Sequence, residues 1–214
     1  MQDTFNSKVF AVRIGDRYGK EYEDYLNSKI PNITWIHEPF DNRVLLQWNK
    51  LFPMNLGYDK PVVVLDIDIE LINDYIEAIE YPIERGEFLT ANPWWLSDSP
   101  FKIQGGFQKY YPIDCQYIYD KFMKDPEYWQ KYYIEKKLTH GPVNGEQYFV
   151  YESVLEKLNI KYLPDTWFVK WKKHADKKWV ANANANYPGD YLWLGDFNPQ
   201  VKIVHYLGRH PQKY

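Results

Sequence analysis

Cysteine is nearly absent: Cys115 is the only one in 214 residues, which excludes an intramolecular disulfide and suits a reducing compartment. Long apolar runs are also missing. The longest, Pro61-Val62-Val63-Val64-Leu65, is far short of the roughly 20 residues that a bilayer-spanning helix needs. The opening MQDTFNSKVFAV has no charged start, apolar core or small-residue cleavage site, so no secretory leader is expected, and the cytoplasm is the expected location. In that setting Asn32-Ile33-Thr34, a match to a glycosylation acceptor, reads as coincidence. Neither sign of charge prevails. With Lys and Arg at 26 and Asp and Glu at 29, the net charge is −3, which gives no global attraction to nucleic acid or anionic lipid. Repeats and low-complexity tracts are lacking, apart from the brief Asn-Ala alternation of Asn182 to Asn186.

Aromatic residues are plentiful, at 20 Tyr, 11 Phe and 9 Trp. Most of these rings carry a polar edge, which suits a wet, ring-lined site. Lys8 to Ile14 reads as a strand closed by the turn signal Gly15-Asp16, followed by a helix over Lys20 to Ser28 and a short strand over Ile33 to His37. Val44, Leu45, Trp48, Leu51 and Phe52 predict a helix from Arg43 to Leu56. Pro61 to Leu65 predicts a strand buried on both faces. Glu87 to Asn92 follows as a strand, then Phe101 to Tyr111 as a glycine-containing strand or bulged loop. Helices are expected over Ile113 to Met123, Glu127 to Lys137 and Asn144 to Leu158, the last with Asn144 as N-cap and Gln147 three residues on. Strands near Ile160–Leu163 and Val201–Tyr206 close the chain. This alternation predicts an α/β fold with a mixed, mostly parallel central sheet flanked by helices.

The most informative segment is Val62-Val63-Val64-Leu65-Asp66-Ile67-Asp68. An apolar strand delivers two acids to its carboxyl end, where open α/β sheets bind ligands. Two residues apart in extended chain, both carboxylates point to one side. Crowded carboxylates stay ionised together when a cation lies between them, and oxygen ligands favour Mg²⁺ or Mn²⁺. Solvated acids at a strand end are the plainer explanation. Among enzymes, haloacid-dehalogenase-type phosphatases use Asp-x-Asp after a strand, but in their first strand; here 65 residues precede it, and Gly195 to Gln200 offers one acid, Asp196, where such sites have a pair. A non-catalytic carbohydrate-binding module would explain the aromatic excess but leave both acids without a role.

Across most of its length the chain resembles the GT-A nucleotide-sugar glycosyltransferases. The resemblance rests on Val12 to Tyr18, on Arg43 to Asp68, and on Lys202-Ile203-Val204-His205-Tyr206-Leu207-Gly208-Arg209-His210-Pro211. That last segment is similar to the His-aromatic-x-Gly close of the retaining family that includes glycogenin and the lipo-oligosaccharide galactosyltransferases. The resemblance implies a single GT-A (Rossmann-like) domain over residues 1–214, with a nucleotide-binding half to about 100, an acceptor half to about 200 and a metal- and phosphate-binding end over 201–214. It implies Asp66, Asp68 and His205 as ligands of Mn²⁺ or Mg²⁺. Arg13, Gly15, Asp16, Tyr18, Arg43, Lys50, Ile67, Gly105, Gly106, Gly208, Arg209 and His210 would contact a nucleotide-sugar donor, with UDP the expected nucleotide. The family's diphosphate-binding lysine, six residues after the histidine, is replaced by Pro211. Glu146-Gln147 stands where the family has an Asp-Gln pair facing the sugar, as the candidate catalytic residues; a helix cap explains Gln147 without any function. Rings expected around the sugar are Tyr18, Trp94, Trp95, Phe107, Trp167 and Tyr206.

The implied function is metal-dependent transfer of a sugar to a carbohydrate acceptor, with no nucleic acid partner and no membrane span. The run as a whole also resembles the amino-terminal domain of capsid-associated glycosyltransferases of chlorella viruses. That implies work on capsid glycans in host cytoplasm and further domains after Tyr214. No feature of the sequence sets an oligomeric state.

Overall fold

The computed structural model describes residues 5–93, 101–139, 145–170 and 200–206. Strands β1 (Lys8–Val12), β2 (Thr34–Ile36), β3 (Val62–Leu65), β5 (Glu87–Thr90), β6 (Phe107–Tyr110) and β7 (Asn159–Tyr162) form one sheet in the order β2-β1-β3-β6-β5-β7. β1 is parallel to β2 and β3, and β5 is parallel to β7. β6 is antiparallel to both of its neighbours, β3 and β5, and alone runs against the rest. A second sheet, β4-β9-β8, joins β4 (Ile69–Leu71), β9 (Ile203–His205) and β8 (Phe168–Lys170).

Alternation along β3 divides the core. Val62 and Val64 face one apolar layer with Trp48, Tyr110, Phe122 and Phe149, while Val63 and Leu65 face the other with Leu26, Phe107 and Phe168. The first layer holds helices α3 (Pro112–Met123), α4 (Pro126–Glu135) and α5 (Glu146–Lys157). The second holds α1 (Lys20–Lys29), α2 (Ile76–Ile79) and the smaller sheet. No helix among the described residues is long and apolar enough to cross a membrane.

Three expectations need correction. The segment expected as a helix from Arg43 is a 3₁₀ stretch, Leu46–Asn55, which contains Pro53 and begins beside Leu46 at φ +32°. Pro53 has no N–H to give a helix, and positive φ at Leu46 breaks the register with Arg43. Asp66 to Asp68 is a bend between β3 and β4, not extended strand. α5 is capped by Gly145, with no side-chain cap bond, and Asn144 lies outside the described residues. A side chain on residue 145 would crowd the core: a Cβ there would lie 3.0 Å from Trp48 and 3.0 Å from Tyr133.

Candidate active site

The fully buried β3 ends at Leu65, and the bend that follows, Asp66 to Asp68, is pinned from two sides. Asp66 N–H donates to the Gly106 carbonyl at 3.1 Å, in the turn that enters β6, and Tyr206 N–H donates to the Asp68 carbonyl at 2.8 Å, just past β9. The antiparallel β4–β9 ladder aligns Ile69 with His205. Residues 137 positions apart thereby meet: His205 Nε2 lies 3.3 Å from Asp68 Oδ1 and 3.5 Å from Asp66 Oδ2. Ligand atoms of Asp66, Asp68 and His205 all fall within 4.8 Å of one another. Gln104 steadies the group from behind. Its carboxamide accepts from Gly106 N–H at 3.0 Å and lies 3.4 Å from His205 Nδ1, while Thr90 Oγ accepts from the Gln104 N–H at 3.0 Å.

Lys50, fully buried on the 3₁₀ stretch, supplies the second charge centre. Its ammonium donates to Asp66 Oδ1 at 3.0 Å and to the Gly105 carbonyl at 3.1 Å, and pairs with Glu146 Oε2 at 3.3 Å. Gln108, from β6, donates to the other Glu146 oxygen at 3.0 Å. Burial pushes the Asp66 carboxyl up, but Lys50 and His205 more than reverse this and hold it at about 2. Burial would lower Lys50; Asp66 and Glu146 outweigh it and raise the ammonium. Burial likewise opposes charge on His205, but its bonds to Asp66 and Asp68 bring it up to about 9. For Glu146 burial wins over Lys50, and its carboxyl is raised.

These groups floor a cleft of about 540 Å³ at the carboxyl ends of β1 and β3. One wall is the segment after β1, with Ile14, Gly15, Asp16 and Tyr18; a second is Leu46, Gln47 and Lys50; Phe101 and Gln147 add a third. Tyr18 donates to Asp68 Oδ2 at 3.4 Å, which links the β1 wall to the acid cluster. Gly15 sits at φ +74°, a conformation that side chains resist, and turns the chain along the rim. The cleft draws on residues 12–68, 101–147 and 205, so no single stretch of sequence contains it.

Of the residues expected at the site, Gly15, Asp16, Tyr18, Lys50, Asp66, Ile67, Asp68, Glu146, Gln147 and His205 all line this cleft. Gly105 and Gly106 lie just beneath it, through the Gly105–Lys50 and Gly106–Asp66 backbone contacts. Arg13 and Arg43 are turned elsewhere. Arg13 pairs with Glu23 at 3.2 Å, and Arg43 is half-exposed, clamping Asp41 at 2.8 Å after the chain breaks register at Leu46. Gly208, Arg209 and His210 lie outside the described residues, as do Trp94 and Trp95. Phe107 and Tyr206 are buried core rings, and Trp167 packs edge-on against Tyr81. Gln47 and Gln108 were not foreseen. Polar residues scattered on apolar elements leave no period to read, and only the fold shows that they converge.

The three ligand groups fit a hard divalent ion. Neighbouring ligands of a six-coordinate ion at about 2.1 Å stand ~3 Å apart, close to the 3.3 and 3.5 Å between imidazole and carboxylates here. No protein-family model matches the chain, and no curated protein does. Solved structures do match. The galactosyltransferase LgtC, determined in complex with donor and acceptor sugar analogues, aligns with a TM-score of 0.50 over 94% of this chain and 87% of its own, at 11% identity. An active-site mutant of LgtC gives a TM-score of 0.51 over 94% and 88% at 11% identity. The glycosyltransferase GlyE of Streptococcus pneumoniae TIGR4 gives 0.52 over 76% of this chain and 46% of its own, at 10% identity. The fold is that of GT-A glycosyltransferases. At these identities the likeness is one of fold. Within the GT-A frame the acid bend stands at the carboxyl end of a central parallel strand, the edge on which open α/β sheets hold their ligands.

Proposed function

We propose that the chain is a metal-dependent glycosyltransferase that moves a sugar from a nucleoside diphosphate, UDP, to a carbohydrate acceptor. The observation that carries this reading is the convergence of Asp66, Asp68 and His205 on the floor of a cleft large enough for a sugar nucleotide. Asp66 and Asp68 would hold the ion with His205 as the third ligand, and the imidazole nitrogen favours Mn²⁺ over Mg²⁺. A bound ion supplies Lewis acidity toward the departing diphosphate. Lys50 fixes Asp66 through Oδ1 and leaves Oδ2 facing His205. The wall from Ile14 to Tyr18 suits the base and ribose, with the Tyr18 ring as an apolar face. Lys50 and Gln108 occupy both oxygens of Glu146, which supports a fixed negative charge near the sugar rather than a free general base. Gly208, Arg209 and His210 follow β9 in sequence, and the resemblance assigns them to the diphosphate. It also implies that the acceptor is a capsid glycan.

Thermal shift with UDP, with and without Mn²⁺, tests the reading directly. UDP should stabilise the protein strongly only with Mn²⁺, and Asp66→Asn or Asp68→Asn should abolish both that shift and sugar transfer. Full activity in either variant would overturn the metal assignment. Phosphate release from phosphomonoesters without any UDP shift would mark a phosphatase, and glycan binding indifferent to metal and nucleotide would mark a binding module.

A further inference from the structure

Gln47 lines the cleft, yet its Oε1 is buried with no hydrogen-bond partner among the described residues. A native fold seldom leaves such an oxygen unpaired unless something else supplies the donor. Its position is also held under strain. Leu46, immediately before it, adopts φ +32°, a conformation that non-glycine residues rarely tolerate and that concentrates at functional sites. After this kink the chain winds at about three residues per turn, so Gln47 and Lys50 come onto one face, and both line the cleft. Lys50 anchors that face beside Asp66 and Glu146, whereas Tyr18 and Gly15 form the separate β1 wall.

We propose that Gln47 reads a hydroxyl group of the transferred sugar and is a specificity-determining residue of the donor subsite. This rests on the sugar-nucleotide reading above. The chemistry of the orphan atom selects the ligand group. A carboxamide oxygen needs a donor; phosphate oxygens at neutral pH offer acceptors, while a ring hydroxyl donates. The surroundings are those of a sugar pocket. Gln147 adds a second planar amide, and Leu46 and Phe101 add apolar surface for the ring's C–H faces. A site that hydrogen-bonds a hydroxyl strongly rejects analogues that lack it or present it on the other face.

The test compares wild type with Gln47→Leu, nearly equal in size but unable to hydrogen-bond, using UDP, UDP-glucose, UDP-galactose, UDP-N-acetylglucosamine and UDP-xylose as probes with Mn²⁺. Wild type should separate the four sugars in Kd. In Gln47→Leu that separation should shrink by about tenfold, the worth of one hydrogen bond in a buried site, while Kd for UDP alone stays within twofold. Removing the orphan oxygen should also leave Tm unchanged or raised. An unchanged ranking and spread of the four sugars in the variant would overturn the proposal, as would a wild type that binds all four alike. Loss of UDP affinity in parallel with sugar affinity would overturn it too. A wild type that fails to bind UDP with Mn²⁺ would instead sink the sugar-nucleotide reading itself, and the wild-type control separates the two failures. Gln47→Asn, which keeps the amide but withdraws it, should fall between the two if the hydrogen bond matters.

Discussion

Lys50 carries more of the site than any single acid does. One buried ammonium is shared between Asp66, Glu146 and the Gly105 carbonyl. Removing it leaves two carboxylates facing each other out of water, so Lys50→Met should lower stability by about 3–5 kcal/mol in urea unfolding. Mn²⁺ should recover part of that loss by neutralising Asp66, and adding Glu146→Leu should recover more. His205 gives a pH signature. Its folded value of about 9 lies above the ordinary 6.5, so its contribution to the ion-free protein is complete below pH 6.5 and fades as pH rises through 9. Asp66 behaves oppositely: held at about 2 against 3.8, its contribution is complete above pH 3.8 and fades as pH falls through 2. Stability of wild type relative to His205→Asn, followed by thermal melts without metal, should therefore decline between pH 6.5 and 9. With the imidazole raised by its two acids, Mn²⁺ binding through it at pH 7.5 should release a proton. Calorimetry in buffers of different ionisation enthalpy reads that directly, and a binding heat independent of buffer would remove His205 from the ligand set.

At the scale of elements, the chain's most regular features were the most legible. β3 is announced by an unbroken apolar run because both of its faces are buried. The stretch from Arg43 misled because apolar residues three and four apart suit a 3₁₀ winding nearly as well as an α-helix. The resemblance sets Arg43 on a helix that touches the donor, whereas the kink at Leu46 leaves it at the surface with Asp41. β4 and β8 have only three residues each, too few to show a period, so the second sheet that brings His205 to Asp68 could not be read from pattern. Asp66, Asp68 and His205 stand instead in recognisable motifs, while Gln47 and Gln108 belong to none. α5 yields a prediction of its own. Gly145 opens it against Trp48 and Tyr133, and large buried rings cannot retreat. Gly145→Ala should cost about 1–3 kcal/mol by overpacking, whereas Gly105→Ala meets the movable Gln147 side chain at 2.7 Å and should disturb sugar binding more than Tm.

For the whole molecule, the site lies across the seam between two sheets. Asp66 follows β3 of the large sheet, and His205 ends β9 of the small one. An ion held by both would add to the side-chain contacts that already join the layers, among them Gln104 with His205. Hydrogen exchange should register this. Amides of residues 69–71 and 203–206 should slow severalfold when Mn²⁺ and UDP bind, with those of β7, at the far edge of the large sheet, unchanged. Equal slowing at β7 would point to global stabilisation instead.

The reversed course of β6 has a consequence for how such a protein can diversify. Because β6 alone runs against its sheet, the connection from β5 leaves and re-enters at the edge where Asp66 stands. Its returning end, Gln104 to Gly106, is tied to Thr90, Asp66 and His205. Insertions in the sequence between Thr90 and Gln104 would thus leave both tethered ends, and with them Asp66 and His205, in register. Sequence can therefore change within one connection of the large sheet while the acid and imidazole cluster keeps its geometry.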